Sequence, residues 1–315
     1  MKKIIIDCDP GHDDALALLW ALSSNEIEVL AVTTVAGNQT LEKVTNNAVK
    51  VLTVAERYNI PVAAGCDKPL IKELVIGGEI VQGESGLEGP ILPKNGFEIS
   101  KLSALELMIQ TIEKTNEKLI ILGLGPLTNI AHLLITRPDL KSKIEAISIM
   151  GGGTVGNWTP VAEYNIFADP EAAYVVFNSG IKIIMSGLDV TQKAYVTKEE
   201  NERLREQGNK CSIFAAELID YFSKYHYEVE GFAGCTLHDP CAVAVLLHPE
   251  IFDSYSCNVN VELNGDLTRG MTVVDKIGYQ KKIFSEEVLE NTVFLCGVDR
   301  EKFVTYFLEA MKKLK

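Results

Sequence analysis

The chain has 315 residues, 47% of them apolar, and a net charge of −13 from 43 acidic against 30 basic side chains. The apolar share is ample for a buried core, and no run approaches the ~20 uncharged apolar residues that a membrane span needs. The negative charge repels polyanions and leaves no basic stripe for a phosphate backbone, which excludes nucleic acid as a partner.

The basic start Lys2-Lys3 is followed by only Ile4-Ile5-Ile6 before Asp7, too short for a signal-peptide core, so cytoplasmic residence is expected. Seven cysteines, Cys8, Cys66, Cys211, Cys235, Cys241, Cys257 and Cys296, are scattered without a Cys-x-x-Cys pair. They read as reduced, mostly buried small residues.

In chain order, short β-rich runs at Lys3–Ile6, Val29–Val35, Val62–Ala64, Leu119–Leu122, Ala146–Met150 and Ile183–Met185 alternate with helical patterns. The helix over Leu41–Tyr58 places Val44, Ala48, Val51, Leu52 and Ala55 on one face. This alternation predicts βαβ units and a mostly parallel sheet flanked by helices, Rossmann-like in class. The Gly- and Pro-rich stretch 68–100 predicts a long loop, of the length that usually carries function. Beyond it, helices are expected at Lys198–Glu206, at Ile213–His226 and from Asp239, then strands near Cys257–Leu263, Met271–Val274 and Val293–Cys296, and a last helix at Lys302–Leu314. With no repeat or composition break, residues 1–315 read as a single α/β domain with a C-terminal helical and strand elaboration.

Ligands of open α/β sheets bind beyond the carboxyl ends of the strands. There the first strand runs into Asp7-Cys8-Asp9-Pro10-Gly11-His12-Asp13-Asp14. Strand alternation puts Asp7 and Asp9 on one face, and Asp13-Asp14 open the helix continued by Ala15–Leu22, whose N-terminal dipole tolerates acid. Single aspartates at such junctions are usually capping or turn residues. Four converging on one point repel unless a cation sits among them, and oxygen ligands without Cys or His point to Ca²⁺ or Mg²⁺.

This Asp-x-Asp-Pro-Gly-x-Asp-Asp run resembles the signature of the inosine-uridine type nucleoside hydrolases, and the resemblance runs essentially end to end. It includes Ala36-Gly37-Asn38-Gln39-Thr40, Gly83-Glu84-Ser85-Gly86-Leu87, Gly125-Pro126-Leu127-Thr128-Asn129 and Met150-Gly151-Gly152. It continues through Gly156 to Asn165, Asp169-Pro170-Glu171-Ala172-Ala173 and His238-Asp239-Pro240.

The resemblance implies hydrolysis of the N-glycosidic bond of ribonucleosides to free base and ribose, in a homo-oligomer, dimer or tetramer. It implies that Asp9, Asp14, the Leu124 carbonyl and Asp239 hold one Ca²⁺ completed by ribose hydroxyls, with Asp9 also the general base for water. Asp13, Asn38 and Asn165 then bind the ribose, Asn157 and Glu163 its 5′-hydroxyl, and His238 gives a proton to the leaving base. Tyr225 and Tyr227 are expected to line the base pocket, where rings stack on a nucleobase, while Tyr221 and Phe222 pack the helix. His12 is expected to support the acidic motif, and His132 and His248 take no role. Two positions depart from the family: Gln82 and Gln192 stand where many members carry histidine, and an amide cannot protonate a base. The Pro-Gly-His-Asp-Asp and Ala-Gly-Asn-Gln-Thr variants are most similar to the bacterial pyrimidine-preferring branch, which implies uridine and cytidine. Two rival readings are a Mg²⁺-dependent phosphohydrolase of the haloacid-dehalogenase type, with Asp7 as nucleophile, and a non-catalytic nucleoside- or ribose-binding protein.

Overall fold

Ile4, Ile5 and Ile6 are all wholly buried, yet successive strand residues face opposite ways, so their sheet is covered on both sides. Ile4 and Ile6 join one apolar cluster and Ile5 the other; Ile120 and Leu122 against Leu119 and Ile121 repeat the split on the neighbouring strand. The computed structural model describes residues 1–284 and 289–314.

Its strands are β1 (Lys2–Cys8), β2 (Ile27–Thr34), β3 (Val62–Ala64), β4 (Leu119–Gly123), β5 (Ile144–Met150), β6 (Ile183–Ser186), β7 (Tyr195–Val196), β8 (Cys235–Thr236), β9 (Phe252–Cys257), β10 (Val259–Val261), β11 (Thr272–Val274) and β12 (Thr292–Val298). Eight form one sheet in the order β3-β2-β1-β4-β5-β6-β12-β9, parallel throughout except for the edge strand β9. The helices are α1 (His12–Ser23), α2 (Leu41–Val54), α3 (Glu79–Gln82), α4 (Ala104–Lys114), α5 (Thr128–Thr136), α6 (Tyr164–Ala168), α7 (Pro170–Phe177), α8 (Leu188–Thr191), α9 (Lys198–Glu206), α10 (Lys210–Tyr225), α11 (His238–Leu247), α12 (Tyr279–Phe284) and α13 (Arg300–Lys313). Helices α1, α2, α10, α11 and α13 supply one apolar layer and α4, α5 and α7 the other. Among the described residues no helix is long and apolar enough to cross a membrane.

Every residue of α1 is buried, because other helices enclose it and Trp20 meets Phe303 and Phe307 edge-on at 5.2 and 5.5 Å. The strand order reverses between β1 and β4, whose ends pair Asp7 with Gly123, and such a switch point leaves a crevice at the carboxyl edge.

Several expected boundaries move. Helix α2 stops at Val54 instead of reaching Tyr58, because Glu56 takes a left-handed conformation, φ 56°, that turns the chain back toward β3. The loop 68–100 carries one helical turn, α3. The strand expected at Cys257–Leu263 is the shorter β10, paired antiparallel with β11, and it is preceded, across a break, by an unexpected strand of the main sheet, β9, which ends at Cys257. Asn291 holds that break, accepting from Val259 N at 2.9 Å and donating to Val259 O at 2.9 Å. All seven cysteines are free, with Cys66 and Cys296 partly exposed and the rest buried.

Candidate active site

The crevice at the switch point opens into a cleft of about 830 Å³, its open mouth included. Its walls come from the loop after β2 (Asn38), the long loop and α3 (Gly77, Gly78, Val81, Gln82), the ends of β4 and β5 (Leu124, Met150), the segment Asn157–Asn165, the end of α10 and the start of α11.

At its floor, oxygens of Asp13, Asp14 and Asp239 lie within 4.8 Å of one another. Asp9 adjoins this group without belonging to it: Asn38 N donates to its Oδ2 at 2.7 Å, while its Oδ1 is buried with no partner among the described residues. Two bare backbones make room for that carboxylate. A Cβ on Gly37 would fall 2.2 Å from Oδ2, and one on Gly125 would fall 2.3 Å from Oδ1. Asp14 is oriented by Gly11 N at 3.1 Å and Asp9 N at 3.2 Å. Burial, then mutual repulsion, pushes the carboxyls of Asp9 and Asp239 well above the usual range, and burial brings Asp13 to about 6 and Asp14 to about 7.

Asp7 does not join the cluster as strand alternation suggested. β1 ends at Cys8, so Asp9 leaves the strand, and the Asp7 carboxylate accepts instead from Thr33 Oγ1 at 2.6 Å and Asn129 Nδ2 at 2.8 Å. An acid committed in this way is unavailable as the nucleophile of a phosphohydrolase.

Asn38 braces the acids, its Nδ2 donating to Asp9 O at 3.2 Å and Asp14 Oδ2 at 3.3 Å. Asn165 Nδ2 donates to the Leu124 carbonyl at 2.7 Å, which leaves that oxygen a second lone pair. Glu163 caps α6: Asn165 N at 2.9 Å, Gly152 N at 2.8 Å and Ile166 N at 3.3 Å all donate to it, yet burial raises its carboxyl to about 7. Asn157 Oδ1 accepts from Tyr164 N at 3.0 Å. The structure thus gathers Asp13, Asn38, Leu124, Asn157, Glu163, Asn165, Tyr225, His238 and Asp239 around one cleft, with Asp9 and Asp14 buried beside it.

His238 lines the wall, but both ring nitrogens are taken, Nδ1 with Thr191 Oγ1 at 2.8 Å and Nε2 with Thr236 Oγ1 at 3.0 Å. Burial lowers the imidazole to about 4. The two threonine hydroxyls fix the ring's orientation in the wall, next to Asp239. Tyr227 does not join the base wall as expected: it lies outside the cleft, 42% exposed, because α10 ends at Tyr225 and the π-helical turn His226–Glu230 carries Tyr227 outward. The same turn brings His226 and Glu230 into the wall; His226 belongs to the aromatic cluster read from the sequence but carried no assigned role, and Glu230 was not singled out. His12 turns away from the acids: its Nε2 bonds Glu88 O at 2.8 Å, and its ring stacks on Tyr221 and Phe222, each 5.4 Å away. Gln82 is buried in the wall; Gln192 follows α8 and is not part of it.

A cleft at the carboxyl edge of a parallel sheet, floored by carboxylates and walled by amides and aromatic rings, defines an enzyme site for a small polyhydroxylated ligand. The chain belongs to the inosine-uridine preferring nucleoside hydrolase family, whose model matches residues 4–305. It is a ribonucleoside hydrolase, which sets aside the phosphohydrolase and the non-catalytic binder. The chain is 48% identical over 312 residues to a pyrimidine-specific ribonucleoside hydrolase, RihA, of Shewanella sp. (strain ANA-3), covering 98% of this chain and 96% of that relative. It is also 48% identical over 311 residues to RihA of Escherichia coli (strain K12 / MC4100 / BW2952), covering 98% of each. Among solved structures, a purine-preferring ribonucleoside hydrolase from Gardnerella vaginalis superposes with a TM-score of 0.90 at 31% identity, covering 99% of this chain and 98% of that one.

Proposed function

We propose that this enzyme hydrolyses pyrimidine ribonucleosides, uridine and cytidine, with Ca²⁺ as its cation. The observation that carries the base preference is the 48% identity, over nearly the whole length, to relatives named pyrimidine-specific, against 31% to a purine-preferring one. For the cation, the donor set fits: the unpartnered Oδ1 of Asp9 and the carboxylates of Asp14 and Asp239 offer hard oxygens, with the Leu124 carbonyl a neutral fourth. When bound there, Ca²⁺ neutralises the acids and makes water in contact with it more acidic.

The protein's own groups divide the remaining work. The Asp9 carboxylate takes the proton of the attacking water. Asp13 and Asn165 hold the ribose 2′- and 3′-hydroxyls, and Asn38 fixes Asp9 and Asp14 so that they stay aimed at the sugar. Asn157 and Glu163 hold the 5′-hydroxyl and steady the ring as positive charge develops at C1′. His238, clamped between two threonine hydroxyls, positions the wall against which the base lies.

Release of ribose from uridine, cytidine, inosine and 2′-deoxyuridine tests the reading. Uridine and cytidine are expected to exceed inosine in kcat/KM. 2′-Deoxyuridine, which lacks a hydroxyl the site is built to bind, should fall by roughly 10⁴-fold. Preference for inosine would overturn the pyrimidine assignment, and equal rates on uridine and 2′-deoxyuridine would overturn the sugar geometry.

A further inference from the structure

Four buried side chains behind the cleft wall are joined in one line. Thr191 Oγ1 lies 2.8 Å from His238 Nδ1, His238 Nε2 lies 3.0 Å from Thr236 Oγ1, and Thr236 Oγ1 lies 2.6 Å from His226 Nε2. Both threonines are wholly buried, and both histidines line the cleft. The line crosses the fold, since Thr191 ends α8, Thr236 ends β8, His238 opens α11 and His226 begins the π-helical turn.

The way the protons point along this line follows from counting them. A hydroxyl has one proton to give, and a neutral imidazole has one N–H and one bare nitrogen. Burial keeps both rings neutral, bringing His238 down to about 4 and, with His238 beside it, His226 to about 3. The Thr191 hydroxyl has no acceptor among the described residues besides His238 Nδ1, so its proton goes there. His238 then carries its own proton on Nε2 and donates it to Thr236 Oγ1, and the Thr236 proton is left for His226 Nε2. Glu230 Oε2 stands 3.6 Å from that same nitrogen, too far for a hydrogen bond. The reverse order would strand the Thr191 proton in the core without an acceptor, which buried polar groups rarely tolerate.

We propose that Thr191 and Thr236 are positioning residues that fix one tautomer on each histidine of the wall, the proton on Nε2 of His238 and on Nδ1 of His226, so that both rings face the departing base as hydrogen-bond donors. This deepens the hydrolase reading above and rests on it. His238 keeps the leaving-group role that the resemblance implies, and the threonines determine which of its nitrogens carries the proton. Its Nε2–H is held by the longest of the three bonds, the one most readily exchanged for a bond to the base. As the base departs, negative charge gathers on its nitrogen and conjugated carbonyl oxygens, which calls for donors. Hydrogen bonds in a line polarise one another, so charge growing at the cleft strengthens each bond behind it.

The chain has five histidines, so side-chain ¹⁵N spectra of histidine-labelled protein, with Ca²⁺ supplied, read the tautomers without recourse to activity. His226 is expected with its proton on Nδ1, the form a free histidine side chain disfavours, and His238 with its proton on Nε2. Thr236→Val keeps the size and removes the hydroxyl. It should release His226 from the Nδ1–H form and lower kcat on uridine about tenfold with KM little changed, the scale of one buried hydrogen bond. On 4-nitrophenyl riboside, whose nitrophenolate leaves unaided, the loss should stay within about threefold, which also reports an intact sugar and metal site. Thr236→Ser, which returns the hydroxyl, should return both the tautomers and the turnover. A wild-type His226 protonated on Nε2, near-normal uridine turnover in Thr236→Val, or equal losses on both substrates would overturn the proposal and leave the hydrolase reading in place. Should Thr236→Val fail to fold, the wild-type spectrum still decides, because a His238 protonated on Nδ1 overturns the proposal by itself. Failure of the wild type to release ribose from any nucleoside would instead overturn the hydrolase reading on which the role of the two threonines rests.

Discussion

Asp9 stands where it does because two residues have no side chain. Gly37 and Gly125 leave the space its oxygens occupy, Asn38 N takes one oxygen, and the other has no partner among the described residues. Two substitutions separate the presence of this carboxylate from its placement. On the proposed mechanism Asp9→Ala removes a cation ligand and the base together, and ribose release from uridine is expected to fall by roughly 10²–10⁴-fold or more. Gly125→Ala keeps the carboxylate but drives a methyl into Oδ1, so turnover should fall strongly while circular dichroism and the wild-type fold are retained. Near-normal turnover in Asp9→Ala would remove Asp9 from the mechanism. Near-normal turnover in Gly125→Ala would show that the carboxylate tolerates displacement.

One phenol makes two of the bonds that tie the long loop to the cleft. Tyr164, on α6, donates its hydroxyl to Val75 O at 2.8 Å and accepts from Gly77 N at 3.1 Å, while Gly77, Gly78, Val81 and Gln82 form one wall. Tyr164→Phe deletes both bonds, each worth about 1 kcal/mol, and should raise KM for uridine about fivefold with kcat little changed. An unchanged KM would mean the loop is held by its other contacts. Neither the latch nor the π-helical turn is legible in the sequence. Tyr164 sits in a motif whose neighbours draw attention by their charge. The segment Tyr225 to Glu230 carries aromatic and acidic residues that a regular helix would distribute differently, so one non-α turn exchanges Tyr227 for His226 and Glu230 in the wall. The strands of the parallel sheet were legible because two-sided burial demands continuous apolar runs. The break at Asn258 was not, since Val259, Val261 and Leu263 continue the alternation across it and only the remote Asn291 marks the change of sheet.

At the scale of the whole molecule, the sheet and its helices bury Asp9, Asp13, Asp14 and Asp239 together at the end of α1, an arrangement that costs stability whenever the four are ionised without a cation. The sign of the pH dependence follows from the direction of the shifts. Asp13 and Asp14 sit at about 6 and about 7 in the folded chain against 3.8 unfolded, so between those values the folded state binds more protons than the unfolded one. Stability without metal therefore falls as pH rises from about 4 through 7, since protons that relieve the repulsion are lost. The proposed Ca²⁺ would supply the same relief and compete with those protons for the same oxygens. Adding Ca²⁺ to EGTA-treated protein should thus raise Tm more at pH 8, where the acids are ionised, than at pH 5, where protonation already neutralises them. Ribose release should disappear with EGTA and return with excess Ca²⁺. A Tm shift of equal size at both pH values would show that cation binding is not coupled to these carboxylates, and an enzyme indifferent to EGTA would remove calcium from the account altogether.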